Sequence, residues 1–207
     1  MADKVRVAVL ISGRGSNMLA LSEYKRRGPS RAYEIVLVAS NVPEARGLVL
    51  ARRLGLKTWS LSHKGLTREE FDAKLNAALR EHNVELVALA GYMRLLSESF
   101  VEKWADRILN VHPSLLPLYK GLDTHRRALL AGDEYAGCSV HIVTGDLDSG
   151  PVIGQAEVKI LPRDDADSLA ARVLEAEHRL YPVALEAYCI ELRGGADEAP
   201  IALEAPE

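Results

Sequence analysis

The chain alternates short β-branched apolar runs with segments of helical period, and this alternation is what most constrains its fold. Four runs, at 5–11, 33–39, 84–90 and 107–112, have the composition of buried strands. Between them, leucine and alanine recur every three or four residues, which predicts helices at 16–27, 45–54 and 67–82. Alternating strands and helices predict a parallel α/β sheet.

The second half of the sequence has a different order of elements. Two short apolar runs at 138–144 and 153–160 follow each other closely and predict an antiparallel pair. A helix is expected at 124–131 and a long one at 166–191. We therefore predict an α/β fold with a Rossmann-like, largely parallel sheet flanked by helices, a C-terminal antiparallel strand pair and a long C-terminal helix.

Charge and composition argue against large polyanionic partners. The 207 residues carry a formal net charge of -3, so we expect no nucleic acid and no membrane partner. The apolar run at 5–11 is interrupted by Arg6 and is too short for a membrane span, which favours a cytoplasmic protein. Cys138 and Cys189 have no metal-type spacing and no histidine pair has a zinc spacing, so we predict no metal.

The segment Ser-Gly-Arg-Gly-Ser-Asn at 12–17 falls between the first strand and the first helix. Free backbone N–H groups and the helix dipole favour an anion at such a position, and glycine lets a phosphate approach the backbone. A dinucleotide fingerprint would need glycine in place of Met18 and an acidic end to the second strand, which reads Ala39-Ser40-Asn41. A single phosphate is the expected ligand, and a tight turn without a ligand is the alternative.

Asn110 and His112 end a predicted central strand. Side chains two apart on a strand share a face, so both are expected at the carboxyl edge of the sheet, the usual ligand crevice of α/β folds. An amide and a protonated imidazole can both stabilise an oxyanion that forms at a carbonyl carbon. The alternative is a purely structural pair.

Asp148 lies in the segment Asp-Leu-Asp-Ser-Gly-Pro at 146–151. A carboxylate next to His112 would raise the pKa of that histidine, keep it charged and accept a proton from a leaving amine. The sequence does not show that the two residues meet. The alternative is an aspartate-rich turn closed by Gly150.

Four segments together resemble the phosphoribosylglycinamide formyltransferases, a family of folate-dependent formyltransferases. They are 11–17 (ISGRGSN), 89–94 (LAGYMR), 109–117 (LNVHPSLLP) and 147–153 (LDSGPVI), in matching order and spacing over about 5–182. The resemblance implies transfer of a formyl group from 10-formyltetrahydrofolate to the amine of N1-(5-phospho-D-ribosyl)glycinamide, in purine (IMP) biosynthesis. It also implies small-molecule partners and a monomer or homodimer.

The resemblance further implies roles for individual residues. The catalytic group would be Asn110, His112 and Asp148. The phosphorylated substrate would contact Gly15, Ser16, Asn17 and Glu177. The folate would contact Arg68, Met93, Arg94, Leu95, Leu96 and Asn110. Two positions depart from relatives: Leu174 replaces a common glutamine, and the loop at 118–123 differs from the form found in some relatives.

There are three alternative functions. Methionyl-tRNA formyltransferase shares the segment around Asn110 but carries a C-terminal tRNA domain, and formyltetrahydrofolate hydrolase carries an N-terminal regulatory domain. We expect neither of these two activities here. A non-catalytic nucleotide- or folate-binding protein is the third. We expect one formyltransferase domain over 1–207, with a phosphate-binding half at 1–110, a half at 111–195 with the catalytic loop, strand pair and long helix, and a flexible tail at 196–207.

Overall fold

The computed structural model describes residues 4–26, 32–194 and 200–203, and within them it contains a sheet of eight strands. The strands are β1 (Val5–Ile11), β2 (Tyr33–Ser40), β3 (Thr58–Ser60), β4 (Leu86–Leu89), β5 (Ile108–His112), β6 (Tyr135–Ile142), β7 (Val152–Lys159) and β8 (Ile201–Leu203). The helices are α1 (Ser16–Arg26), α2 (Arg46–Arg53), α3 (Arg68–Glu81), α4 (Glu98–Lys103), α5 (Thr124–Ala131) and α6 (Ala166–Leu192).

The sheet has the strand order β3-β2-β1-β4-β5-β6-β7-β8. Strands β1 to β5 pair in parallel, β6 is antiparallel to both β5 and β7, and β8 is parallel to β7. The predicted fold class is confirmed. The chain leaves β1 towards β2 and returns on the other side of β1 through β4, and such a switch point opens a ligand crevice at the carboxyl edge.

The alternation of side chains along β1 divides the core between the two faces of the sheet. Val7 and Val9 pack with residues of α1, α2 and α6, whereas Ala8 and Leu10 pack with residues of α3 and α4. All four side chains are fully buried. Because neighbouring strand residues point to opposite faces, helices cover both sides and leave the strand ends free to form a site.

The long helix α6 is attached to the sheet near the candidate site. Its residue Tyr181 is fully buried, and its hydroxyl donates to the carbonyl oxygens of Leu89 at 3.1 Å and Leu109 at 3.2 Å. Leu89 is the last residue of β4, and Leu109 is the second residue of β5 and lies opposite Ala88 of β4. The position of α6 is therefore fixed against the two strands that lead into the site.

Three short elements were not predicted. Strand β3 has three residues, and helix α4 is six residues long and is capped by Ser97, which accepts from the Phe100 N–H at 3.3 Å. Within the tail that is predicted to be flexible, at 196–207, residues 201–203 form β8, which pairs with β7. Residues 196–199 and 204–207 of that tail lie outside the described residues, as does Arg27 at the end of the first predicted helix.

No helix in 4–26 and 32–194 is both long and apolar enough to cross a membrane.

Candidate active site

The glycine loop between β1 and α1 is packed against α2. The Gly47 N–H donates to the Gly13 carbonyl at 3.0 Å. Gly15 has a φ of +79°, and a Cβ at this position would lie 2.8 Å from the Gly47 Cα. A Cβ at Gly13 would meet no atom within 4 Å. Gly15 therefore permits close contact with α2, and the open approach to the loop is at Gly13.

Two predicted substrate residues, Asn17 and Glu177, contact each other. The Asn17 Nδ2 donates to the Glu177 Oε2 at 2.6 Å, and both side chains are buried. Burial raises the pKa of Glu177 to about 7, against the lowering effect of the Asn17 hydrogen bond. The Asn17 Oδ1 is buried without a hydrogen-bond partner. This pair is a buried polar contact between the first turn of α1 and α6.

The three predicted catalytic residues lie together at the carboxyl edge of the sheet. Asn110 and His112 are on β5, and Asp148 is on the loop between β6 and β7. The His112 Nδ1 lies 3.4 Å from the Asp148 Oδ2, and these two side chains are 7% and 9% exposed. The contact between His112 and Asp148, which the sequence alone does not establish, is therefore present.

Both ring nitrogens of His112 face acceptors. Its Nε2 lies 3.0 Å from the Tyr119 carbonyl oxygen, which can only accept, so Nε2 carries a hydrogen. In the neutral ring the Nδ1 is then unprotonated and faces the Asp148 carboxylate. A proton that arrived at Nδ1 would be shared with Asp148.

The predicted direction of the His112 pKa shift was wrong. Burial lowers the pKa of His112 below its ordinary 6.5, and this effect outweighs the raising effects of the Tyr119 carbonyl and the Asp148 carboxylate. A low-dielectric environment disfavours the charged form. The neutral imidazole is consequently the favoured form at neutral pH in the free protein.

The Asp148 carboxylate is held by contacts with two other segments. Burial by itself would raise its pKa, but the contacts with His141 and the Gly121 N–H, together with the charge that the two histidines carry when protonated, hold the pKa below its ordinary 3.8. The Gly121 N–H donates to Oδ2 at 3.0 Å, and the His141 Nε2 lies 3.5 Å from Oδ1. Asp148 is thus a fixed, ionised group.

His141 belongs to this group and was given no role from the sequence. It lies opposite Asn110 in the antiparallel pairing of β5 and β6, and it is 2% exposed. Its Nδ1 donates to the Ile142 carbonyl at 2.9 Å, so the neutral Nε2 can accept from the Asn110 Nδ2 at 3.2 Å. His141 therefore fixes the direction of the Asn110 amide and leaves the second hydrogen of that amide available.

The loop at 118–123, which differs from some relatives, closes over the group. Tyr119 and Gly121 contact His112 and Asp148 as described, and the Lys120 Nζ donates to the Ser149 Oγ at 2.7 Å. Tyr119 and Gly121 have left-handed backbone conformations. The resulting tight turn directs the Tyr119 carbonyl at His112 and the Gly121 N–H at Asp148. The loop thus contacts both His112 on β5 and the Asp148 loop between β6 and β7.

Gly150 lies on the loop between β6 and β7, and Leu174 lies on α6. A Cβ on Gly150 would lie 1.8 Å from the Ile142 carbonyl oxygen, so a glycine is required where the Asp148 loop meets β6. The sequence predicts a turn at Gly150, but this close contact with β6 has no local sequence pattern. Leu174 lies half-buried on α6, three residues before Glu177.

The predicted folate segment follows β4 in the chain and begins next to the end of β1, where the Met93 N–H donates to the Ser12 Oγ at 2.7 Å. Met93 and Leu95 are 72% and 54% exposed, whereas Leu96 packs against the core. The Arg94 guanidinium lies 5.0 Å from the centre of the Phe71 ring, and its Nη2 donates to the Thr67 carbonyl at 2.8 Å.

Arg68 directly follows Thr67 at the start of α3, and its side chain is exposed. Two guanidinium groups, those of Arg68 and Arg94, therefore lie near the first turn of α3. The helix dipole at that end also favours an anion.

A groove of about 420 Å³ opens between α1 and α6. It shares Ser16 with the glycine loop, but none of its lining residues belongs to the group around His112. Its walls are Ser16, Leu19, Ala20, Glu23, Tyr24, His178, Arg179 and Pro182. Among the residues that the structure covers, no group of three or more His, Cys, Asp or Glu could hold a metal ion; the absence of a metal stays a prediction.

The fold and site define an α/β protein in which an amide, two imidazoles and a carboxylate are grouped around β5 and β6, two strands away from β1 and the glycine loop that follows it. The chain belongs to the formyl transferase family, whose model matches residues 5–185. The resemblance found in the sequence is thereby confirmed.

Named relatives agree with this family. The chain is 45% identical over 186 residues to the phosphoribosylglycinamide formyltransferase of Escherichia coli (strain K12), which covers 87% of this chain and 85% of that protein. It is 46% identical over 185 residues to the trifunctional purine biosynthetic protein adenosine-3 of Gallus gallus, covering 89% of this chain and 18% of that protein. It thus spans less than a fifth of this relative.

Solved structures show the same fold. The crystal structure of phosphoribosylglycinamide formyltransferase from Anaplasma phagocytophilum matches with a TM-score of 0.88 and 41% identity, over 99% of this chain and 100% of that chain.

Proposed function

We propose that the protein transfers the formyl group of 10-formyltetrahydrofolate to the amine of N1-(5-phospho-D-ribosyl)glycinamide, giving the N-formyl product and tetrahydrofolate in purine biosynthesis. The observation that carries this proposal is the meeting of Asn110, His112 and Asp148 at the carboxyl edge of the sheet. Membership of the formyl transferase family and the names of the relatives support it.

The phosphate of the acceptor would bind at the glycine loop. The open approach at Gly13 and the free N–H groups at the start of α1, near Gly15 and Ser16, suit an anion. Asn17 and Glu177 lie beneath this point and would bind the ribose or glycinamide portion. A carboxyl group whose pKa is about 7 can donate or accept a hydrogen bond there.

The folate would lie along 93–96. The exposed side chains of Met93 and Leu95 offer an apolar surface to a flat ring. Arg68 and Arg94, at the start of α3, carry the charge that would bind the carboxylates of the glutamate tail. The formyl carbon would then lie between this segment and the end of β5.

Asn110 would stabilise the first intermediate. The amine attacks the formyl carbon, a C–N bond forms, and the carbonyl oxygen becomes an oxyanion. One hydrogen of the Asn110 amide is directed at His141, and the second would donate to this oxygen. Donors that gain strength as charge develops lower the barrier to this step.

The amine proton would pass to His112 and Asp148. Because burial lowers the pKa of His112, the imidazole starts neutral, with an unprotonated Nδ1 facing Asp148. It can accept the proton that the attacking amine loses, directly or through water, and the new imidazolium is stabilised by the carboxylate 3.4 Å away.

Collapse of the intermediate would break the bond between the formyl carbon and N10 of the folate. N10 takes up the proton, and tetrahydrofolate leaves. The amine has then lost one proton and N10 has gained one, so the reaction balances without a redox change.

A comparison of acceptors tests this function. The purified protein with 10-formyltetrahydrofolate is supplied with glycinamide ribonucleotide, with the same compound lacking its phosphate, with methionyl-tRNA, or with no acceptor. We expect rapid tetrahydrofolate formation with glycinamide ribonucleotide and a much higher KM for the dephosphorylated compound. Turnover that needs methionyl-tRNA, or equal formate release without any acceptor, would contradict the proposal.

A further inference from the structure

Ser12 directly follows β1 and is the first residue of the 12–17 segment, and its hydroxyl makes two short hydrogen bonds. It donates to the Asn41 Oδ1 at 2.6 Å and accepts from the Met93 N–H at 2.7 Å. The Ser12 N–H also donates to the Gly91 carbonyl at 3.1 Å. One residue therefore contacts the end of β2 and both ends of the short turn at 91–93.

These contacts join the two ligand regions of the proposed function. Met93 is the first residue of the proposed folate segment, and Ser12 is the first residue of the 12–17 segment and directly precedes Gly13. Because a backbone N–H has a fixed direction, the hydrogen bond to Ser12 fixes the orientation of the peptide unit at Met93 as well as its distance from the loop.

Asn41 limits the freedom of the Ser12 hydroxyl. It is 3% exposed, and its Nδ2 and its backbone carbonyl oxygen both face the His63 Nδ1, at 3.0 and 2.9 Å. These contacts hold Asn41 beside His63, with its Oδ1 directed at Ser12. The hydroxyl hydrogen points to this oxygen, so an oxygen lone pair is directed at the Met93 N–H.

We propose that Ser12 is a positioning residue that holds the 93–96 segment in register with the glycine loop, through the Met93 N–H. This proposal rests on the proposed function, because it assigns the folate to that segment. Ser12 contacts neither ligand in this proposal. Its loss should weaken folate binding and leave the phosphorylated acceptor nearly unaffected, because the acceptor binds to backbone groups of 13–17.

The test is Ser12→Ala, with Ser22→Ala as a matched control. Ser22 also has a buried hydroxyl, which donates to the Met18 carbonyl at 2.9 Å within α1 and is unconnected to 93–96. Tetrahydrofolate binding by calorimetry and both KM values are measured. In Ser12→Ala we expect tetrahydrofolate affinity to fall and the folate KM to rise by about threefold to tenfold, as for one lost hydrogen bond. The acceptor KM and both constants of Ser22→Ala should stay within about twofold.

Two further measurements keep the proposal testable if Ser12→Ala is poorly folded. Ser12→Thr retains the hydroxyl and should keep the wild-type folate affinity. Hydrogen exchange at the Met93 N–H should be slow in the wild type and in Ser12→Thr, and faster in Asn41→Ala, which lacks the acceptor that orients Ser12. Unchanged tetrahydrofolate affinity in Ser12→Ala, equal losses for both ligands, or rapid Met93 exchange in the wild type would overturn it. Absence of tetrahydrofolate binding in the wild type would instead overturn the proposed function.

Discussion

Asn110 and His112 show how far a two-residue spacing in a strand can predict a site. Their common face on β5 follows from the period of a strand, and the structure places both at the carboxyl edge of the sheet. What surrounds them comes from distant segments: Asp148 from the loop after β6, and His141 from the antiparallel pairing of β6 with β5. Pairing register is a property of the folded sheet, so the role of His141 could not be predicted from local pattern.

Asn110→Ala should lower kcat by about a hundredfold to a thousandfold, the usual loss for one oxyanion donor, with little change in either KM. Asn76→Ala is a matched control, because the Asn76 side chain accepts from the Trp104 Nε1 at 3.1 Å in the packing of α3 on α4. Steady-state kinetics of the two variants provide the test. A kcat near wild type in Asn110→Ala would remove this residue from the mechanism.

The pKa of His112 should be lower in Asp148→Asn than in the wild type, and below 6.5 in both. The reason is that burial already lowers this pKa and the variant removes a raising charge. NMR titration of the ring gives the two midpoints. Equal midpoints would show that Asp148 has no electrostatic role at His112.

The sign of the accompanying stability effect is the reverse of that for a raised histidine. The unfolded chain takes up a proton at His112 near pH 6.5, before the native state does. This residue therefore destabilises the fold as pH falls from about 6.5 towards its folded pKa, and it contributes nothing above that range. In Asp148→Asn, the pH range over which this destabilisation grows should extend to lower pH. Chemical unfolding of both proteins at several pH values measures it.

At the scale of elements, the glycine loop has a conformation that its sequence predicted in part. The glycines and the following helix predicted a tight turn with free N–H groups, and the structure has that turn before α1. The partner of Gly15 is Gly47 on α2, 32 residues away in sequence. A contact between two backbones has no local signature, so the separate functions of Gly13 and Gly15 became clear from the structure.

Gly13→Ala and Gly15→Ala should therefore have different effects. A methyl group at Gly13 meets no protein atom and should raise the KM of the phosphorylated acceptor while the melting temperature stays near wild type. A methyl group at Gly15 is forced against α2 with a left-handed backbone, and should destabilise the fold by about 1–3 kcal/mol. Thermal unfolding and acceptor KM are measured for both. A normal acceptor KM in Gly13→Ala would argue against a phosphate at this loop.

At the scale of the whole molecule, the largely parallel α/β sheet and its helices on both faces followed from hydrophobic pattern, because each face of the sheet needs helices to cover it. The short elements β3, α4 and β8 did not, since three to six residues give too little periodicity and depend on contacts such as that of Trp59 with Phe71. The sheet and α6 together also bury Glu177 beside Asn17, which makes the stability of the whole fold depend on pH.

Glu177→Gln should abolish much of that dependence. The folded pKa of about 7 lies above the ordinary 4.5, so the contribution of this carboxyl to stability is fully present below pH 4.5. It is lost as pH rises through 7, by about 3 kcal/mol at 1.4 kcal/mol per unit of pKa shift. Glu175→Gln, on the exposed face of α6, is the control. Parallel curves of unfolding free energy against pH for Glu177→Gln and the wild type would contradict this assignment.

The fate of the formyl carbon is the most direct test of the central claim. The protein is given 10-formyltetrahydrofolate labelled with carbon-13 in the formyl group, together with glycinamide ribonucleotide, and the products are followed by NMR. We predict that the label appears as a formamide on the phosphorylated acceptor, in equal amount with tetrahydrofolate, and that Asn110→Ala slows this transfer by at least about a hundredfold. Label released as formate, or left on the folate while the acceptor is unchanged, would contradict the account.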